Sequence, residues 1–385
     1  MLQIEIEAVW RFRQEGSPRT AVVMLGVLNE IRKTGKITSA AADAHLSYRH
    51  VWNLIEQWSE FFGTPLVETQ RGKGSRLTPF GERLVWAGER MQARLGPQLE
   101  NLAQELASEI KPFLEQRPSV IRVHASHGFA VAKLREFLDR EPGIGVDLRY
   151  VSNQHSLVSL AQGACDLSGL HLPHGALRAQ GIKAAREWLD PREDRVISFV
   201  TREMGLMVAR GNPLGIETIE DLTRPKVRFV NRDHDSGTRL LFDQLLAAHS
   251  IDESRINGAQ QIEFTHAAVA AYVASGMADA SFGVEAAARH FGLDFIRIVT
   301  EDYFFVCKRA FLDTEPMQRI LDIMRSADFR AAVASLPGYV PSDTGAVTAR
   351  EGVSGDARRA LMNGRGSPLP WRTAATRPVK RPARP

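Results

Sequence analysis

The sequence predicts an α/β protein in two parts, a small helical head closed by a β-hairpin and a larger region in which strands and helices alternate. Three observations carry this. Apolar residues at helical spacing dominate the first hundred positions. A glycine-rich basic turn between two short extended runs follows a pair of closely spaced helices. From Val120 onward, short apolar runs alternate with helical patterns. A chain of 385 residues is long enough for two or three domains. With 44% apolar and 24% charged residues, the composition excludes wholesale disorder and collagen-like repeats. No window is apolar enough to span a bilayer, so no membrane partner is expected. Glu5, Glu7, Arg11 and Arg13 leave no signal-peptide core, and we expect a cytoplasmic protein. Cys165 and Cys307 have neither metal-site spacing nor the count of a disulfide framework and are expected to be reduced and buried.

The net charge of +4 is unevenly placed: residues 351–385 hold eight Lys or Arg against two acidic residues, so residues 1–350 sum to −2. That tail also holds five of the 19 prolines and few apolar residues, and disorder is expected after about residue 345. It is either a solvated appendage or a weak, salt-sensitive attractor of nucleic acid.

From the amino end, Leu2, Ile4 and Ile6 alternate with polar residues and predict a short strand. Ala21, Met24, Leu25, Leu28 and Ile31 predict a helix stopped at Thr34-Gly35. Thr38 is expected to cap a short Ala-rich helix, Ala40 to His45, whose methyl side chains allow a second helix to cross closely. Ser47 is expected to cap that second helix, from Tyr48 to about Phe62. Val51, Ile55, Trp58 and Phe62 form its apolar stripe, which leaves Arg49, Trp52, Asn53 and Glu56 on the other face, with Tyr48 at its edge. This is the helix-turn-helix pattern, and Arg and Asn can make bidentate contacts to guanine and adenine edges. A polar solvent face on an ordinary helical bundle is the alternative. Pro65 to Thr69 and Arg76 to Thr78 then read as two strands joined by the turn Arg71-Gly72-Lys73-Gly74-Ser75, in which Arg71, Lys73 and Arg76 can meet phosphates. The G-x-x-x-x-G-K-[ST] pattern of nucleotide hydrolysis is missing.

The sets Thr38-Ser39-Ala40-Ala41, Leu46 to Trp52, Phe62 to Val67, Gly72-Lys73-Gly74 and Leu77 to Gly81 resemble the winged helix-turn-helix of LysR-type regulators across residues 20–85. The Ser47-Tyr48-Arg49 and Trp52 details look closer to ModE-type molybdate-responsive repressors. The resemblance implies double-stranded DNA as partner, read by a homodimer or higher homo-oligomer on a two-fold site. Ser39, Ser47, Tyr48, Arg49, Trp52 and Asn53 would contact DNA, with the helix from Ser47 reading the major groove. Arg71, Lys73 and Arg76 would meet backbone or minor groove. His50 is expected to pack inward.

A helix runs on from Thr78 through Leu84, Val85, Met91 and Leu95, then Leu99 to Leu114, with Gly96-Pro97 expected to kink or break it. Apolar spacing near 3.5 suits a dimer arm, with packing on its own chain as the alternative. Beyond Pro118, strands at Val120 to Val123, at Val146 to Val151 and after Cys165 alternate with helices, which predicts a parallel sheet with ligands at the carboxyl ends of its strands, where Ser126 falls. In a second lobe the strand at Val227 to Val230 leads to Ser236-Gly237-Thr238-Arg239, opening a helix over Leu240 to His249. Two hydroxyls, a glycine and an arginine at a helix N-terminus form a candidate anion site, joined by the helix start at Thr265-His266 and by Glu285 after the strand ending at Val284. Ordinary helix capping is the alternative.

The stretch from Gly205 to Phe305, with Asn231-Arg232, Ser236 to Arg239, Glu263 to His266, Phe282-Gly283 and Glu301-Asp302-Tyr303, resembles the periplasmic-binding-protein-like domain found beside ModE-like heads and molybdopterin-biosynthesis enzymes. This implies a two-lobed type II binding domain for a small anionic effector: molybdate, tungstate or a small carboxylate such as formate. Asp233-His234-Asp235 places extra negative charge beside that site. The expected division is a head over 1–85, a linker or dimerisation helix over 86–118, a sensor over 119–340 and a basic tail over 341–385. No cofactor and no metal site are expected, since His124/His127 and His171/His174 show no Cys or carboxylate partner at ligand spacing. Glu285, His266 and Ser236 leave an acid-base set as the enzyme alternative, although no G-x-S-x-G or H-E-x-x-H occurs and no catalytic residue is assigned. A constitutive DNA binder with a non-sensing domain is the other alternative.

Overall fold

The computed structural model describes residues 4–14, 18–70, 74–114, 120–190 and 192–348. The head opens on β1 (Arg11–Phe12) paired antiparallel with β2 (Arg19–Thr20). The strand expected at Leu2 to Ile6 does not form over its described part. Ile4 to Glu7 instead lie along the long helix introduced below, beside Gln92, Leu99 and Ala103.

Helix α1 (Val22–Thr34) buries Met24, Val27, Leu28 and Ile31 and ends on Gly35 in the left-handed conformation. Helix α2 (Ile37–Asp43) starts earlier than its Ala-rich core suggested. Ile37 is buried in the head, which draws the first turn inward and makes Lys36, not Thr38, the cap. Its Ala40 and Ala41 are buried at the crossing. Helix α3 (Tyr48–Phe62) is as expected: the Ser47 hydroxyl accepts from the His50 N–H at 3.2 Å, Gly63 ends the helix, and Val51, Ile55 and Trp58 face the core.

The wing is β3 (Val67–Gln70) against β4 (Gly74–Leu77). Gly74 has φ +86°, and a Cβ there would stand 2.7 Å from the Gly35 carbonyl oxygen, so only glycine lets the wing seat against the end of α1.

Helix α4 (Pro79–Leu114) runs 36 residues and continues through Gly96-Pro97, where an interruption was expected. Pro97 has no N–H, so the Ala93 carbonyl lacks its usual donor four residues on. The Thr265 hydroxyl donates to that carbonyl at 2.9 Å instead, so the freed acceptor is satisfied without a break. Arg32 ties α1 to α4 through Glu89 at 2.5 Å, and the Arg83 guanidinium donates to the Ser275 carbonyl at 3.1 Å, joining the head to the larger region.

That region begins with β5 (Val120–Ala125), α5 (Phe129–Leu138), β6 (Gly145–Tyr150), α6 (Asn153–Ala161), β7 (Leu167–Pro173) and α7 (Arg178–Arg186). It continues with β8 (Asp194–Val208), β9 (Phe229–Arg232), α8 (Gly237–Ala248), β10 (Ile262–Glu263), α9 (His266–Ala274), β11 (Ala280–Val284), α10 (Glu285–His290) and β12 (Asp294–Lys308). It closes with α11 (Arg309–Leu312), α12 (Glu315–Arg325), α13 (Ala327–Ala334), β13 (Tyr339–Val340) and β14 (Val347–Thr348).

The strands form one sheet in the order β10-β9-β11-β8-β12-β7-β5-β6, with β13 and β14 on β8. It is mixed, not wholly parallel as the alternation suggested. The β5–β6, β5–β7, β9–β10 and β9–β11 pairs are parallel, but β8 and β12 run antiparallel to each other over 15 residues each. These two strands pass through both lobes and so join two separate apolar cores. One gathers Ile121, Phe199, Phe305 and Phe329, the other Leu206, Phe229, Phe242 and Phe282. The described residues run to Thr348, with β14 paired to Ile197 and Val196 of β8; residues 349–385 of the expected basic tail lie outside them.

Candidate functional site

The candidate DNA-reading face is built by α3. With Val51, Ile55 and Trp58 turned inward, Ser47, Tyr48, Arg49 and Asn53 are exposed, Tyr48 by 50%. Trp52 is half-buried. It stacks on Tyr48 with ring centroids 6.3 Å apart, and its indole N–H donates to Glu56 at 2.8 Å. This contact fixes an aromatic ledge beside Arg49. His50 is exposed and does not pack inward: it lies in the first turn of α3, one residue before the apolar stripe begins at Val51. Ser39, within α2, is half-buried. In the wing, Arg76 is held by Glu68 on the facing strand at 2.9 and 2.7 Å. Arg71 and Lys73 lie outside the described residues.

The second site is a cavity of about 220 Å³ between the two lobes. Its walls come from the carboxyl ends of β5, β6 and β9, from helix starts, and from strands crossing beneath. Ser126, Ser236, Gly237, Thr238, Thr265 and His266 line it, as expected from sequence. Two expected residues do not. Arg239 follows Thr238 by one step of the helix, about 100° around its axis, and faces the other way. Its side chain is buried against Asp243 at 2.7 Å and Glu253 at 2.8 Å. Glu285 is outside the lining because β11 passes straight into α10, where Glu285 pairs with Arg289 at 3.0 Å and packs beside Gly338. The Ser236, His266 and Glu285 acid-base set is therefore not assembled.

The buried cations of the cleft are Arg202, from β8, and Arg232, at the end of β9; Arg94 of α4 borders it from a more exposed position. Arg202 is matched: its Nε and Nη2 donate to Glu301 Oε2 at 2.8 and 2.6 Å. Burial opposes both charges, but their mutual attraction outweighs it, raising the guanidinium further and taking the Glu301 carboxyl down to about 2. Arg232 has no such partner. It is 6% exposed, donates Nη2 to the Phe264 carbonyl at 2.9 Å, and leaves Nε and Nη1 buried without an acceptor. Burial, then the nearby Arg202 charge, lowers it to about 9, which leaves it protonated at neutral pH.

Three histidines complete the lining. Burial is the largest cause in each, and nearby arginine charge adds to it: His127 is lowered to about 4, His171 is lowered, and His266 lies well below the ordinary range. All three are neutral at pH 7. His171 lies flat on Tyr303 at 3.9 Å between ring centroids, while His266 Nε2 meets the Thr238 hydroxyl at 3.3 Å and leaves Nδ1 without a partner. The two capping hydroxyls already have work within the fold. Ser236 accepts from the Arg239 N–H at 3.1 Å, and Thr265 accepts from the Ala268 N–H at 2.9 Å while donating to Ala93.

Sequence reasoning passed over Arg202, Arg232, His127 and His171 as site residues. Asn231-Arg232 at a strand end and the paired spacings His124/His127 and His171/His174 were the available signals; Arg202 sits within a strand with nothing local to mark it. Among the described residues, no group of three or more His, Cys, Asp or Glu is placed to hold a metal ion, and no helix is long and apolar enough to cross a membrane. Both cysteines are buried, and burial pushes their thiols up to about 12.

Two family profiles match the chain. "Bacterial regulatory helix-turn-helix protein, lysR family" covers residues 23–82, and "PBP superfamily domain" covers residues 134–325. The chain is 32% identical over 199 residues to the uncharacterized protein YvgK of Bacillus subtilis, covering 52% of this chain and 64% of that one. It is 23% identical over 226 residues to the HTH-type transcriptional activator CmpR of Synechocystis, covering 58% and 67%. It is also 27% identical over 121 residues to the molybdenum-pterin-binding protein MopB of Rhodobacter capsulatus, covering 30% and 45%. The chain thus spans under two thirds of the length of YvgK. The protein joins a LysR-family helix-turn-helix domain to a PBP-superfamily domain.

Proposed function

We propose that this protein is a DNA-binding transcriptional regulator in which a small anion, seated between the lobes, controls operator binding. The observation that carries the reading is Arg232. A buried, uncompensated cation costs several kcal/mol, and a ligand that supplies the missing negative charge recovers that cost. Arg202 cannot fill this role, since Glu301 already neutralises it. The N-termini of α8 and α9, with the Gly237 backbone and the Thr238 hydroxyl, add donors to the same volume.

One unmatched guanidinium among neutral imidazoles, with Asp233 and Asp235 in the lining, suits a compact anion of low charge. We propose molybdate, tungstate or a small carboxylate such as formate, and target genes tied to molybdenum enzymes. Similarity to a molybdenum-pterin-binding protein supports a link to molybdenum. In the head, α3 enters the major groove with Ser47, Tyr48, Arg49, Trp52 and Asn53, with Ser39 on α2 at the margin. The wing brings Arg71, Lys73 and Arg76 to the backbone. Two copies read a two-fold site, with the exposed Leu102 and Leu106 of α4 available for pairing. The division into head, linker helix, sensor and tail at 85, 118 and 340 belongs to this proposal.

Footprinting of the full chain on DNA upstream of its own gene, with and without each anion, tests the reading. A discrete protected site whose affinity shifts at least tenfold with one anion is expected. No discrete site overturns the DNA reading, and a site indifferent to all three anions overturns the sensor reading.

A further inference from the structure

The cleft has a wall that neither lobe supplies. Arg94, Pro97, Gln98 and Asn101, all on α4, line the same cavity as Arg232 and His266. The helix is pinned on both sides of the opening. Toward the first lobe, Asn101 accepts from the Tyr150 N–H at 2.9 Å and donates to the Tyr150 carbonyl at 3.1 Å. Its carboxamide thereby takes the place of a neighbouring strand at the free edge of β6. Toward the second lobe, Thr265 holds the Ala93 carbonyl, and Arg94 Nε stands 3.6 Å from Glu263 Oε2.

That last pair is poorly made. The Glu263 side chain is 2% exposed, and its Oε2 has no hydrogen-bond partner, while Arg94 is 41% exposed, beyond bonding distance, and borders the cavity. A cation on a flexible stem, held loosely by one carboxylate and resting 5.7 Å over the Phe264 ring at the edge of an anion cleft, can be drawn to a better acceptor.

We propose that α4 is the third wall of the anion site and that Arg94 is a ligand-contacting residue, exchanging Glu263 for the bound anion. This rests on the reading of the cleft as an anion site. It adds that the helix leading out of the wing itself touches the ligand. Anion binding is then felt directly by the element that carries the head, without relay through the lobes.

The test is calorimetry with sodium molybdate, sodium tungstate and sodium formate on the full chain and on Arg94→Ala, Arg94→Lys, Glu263→Gln and Arg232→Ala, with hydrogen exchange followed over residues 90–101. Arg94→Ala should weaken binding about tenfold and Arg94→Lys should restore part of it. Glu263→Gln should tighten binding several-fold, because it frees Arg94 and removes a competing carboxylate. Amides around Ala93 to Asn101 should change protection when the anion is added. A purely structural role for the pair predicts that Arg94→Ala and Glu263→Gln act in the same direction. If Arg232→Ala abolishes binding while Arg94→Ala leaves it unchanged, the third wall is overturned and the anion site stands. If the wild-type chain binds none of molybdate, tungstate and formate, or Arg232→Ala changes nothing, both fall.

Discussion

The two candidate sites are built in opposite ways. The reading face on α3 is contiguous, exposed and held by one helix, so its polar groups are satisfied by water until DNA arrives. The cleft is assembled from segments more than a hundred residues apart, and its polar groups are buried before any ligand arrives. A surface site of the first kind tolerates substitution and shows its cost only on binding. A buried site of the second kind is under strain when empty, and its residues trade stability against binding.

The largest effect that would sharpen this contrast is expected at Glu301. Removing its carboxylate in Glu301→Ala leaves Arg202 buried and unmatched, so urea unfolding should show a loss of about 3 to 5 kcal/mol. A change below about 1 kcal/mol would place the pair in a more hydrated setting than the geometry gives.

Acid should act on the same region through His127. Its folded value of about 4 lies below the ordinary 6.5. Between these values the unfolded chain takes up the proton and the folded one does not, so stability rises with pH across that window. The stabilisation is complete above about pH 6.5 and falls toward pH 4, by about 3 kcal/mol in all if His127 acts alone. His127→Phe should reduce the slope of melting temperature against pH between those limits, with His171 and His266 retaining the rest; an unchanged slope would remove His127 as a source.

On the exposed reading face, Arg49 should matter for binding and hardly at all for folding. Arg49→Ala should cost about 1 to 3 kcal/mol in operator affinity and relax base preference at one position, measured by competition binding, with the melting temperature unchanged. Ser47→Ala, which removes the α3 cap, should cost about 1 kcal/mol of stability. Equal losses on specific and unrelated DNA for Arg49→Ala would break the assignment of α3 as the reading helix.

The same contrast explains what the sequence could disclose. The head was legible because its signals are local: the α3 stripe, the Ser47 cap, the Gly35 stop and the Gly74 turn each follow from neighbouring residues. Helix α2 was misplaced because burial of Ile37 is tertiary. The cleft was legible only where it coincided with helix starts, at Ser236 to Thr238 and at Thr265-His266, and with the carboxyl end of β5, at Ser126. Arg239 belonged to the same motif and was misassigned, because helical rotation and a distant Glu253 decide where it points. Arg232 and Arg202 could not be told apart from sequence, since their difference lies in Glu301, about 70 and 100 residues away. The unbroken course of α4 through Pro97 depended on a hydroxyl 172 residues distant.

Arg232 bears the central claim, and melting the full-length wild type and Arg232→Ala side by side, each with and without molybdate, tungstate and formate, tests it most directly. We expect at least one anion to raise the wild-type melting temperature, and the variant to melt at or above the anion-free wild type with no response to any of the three. A variant that loses stability without ligand and still responds to the same anion as the wild type would contradict the account.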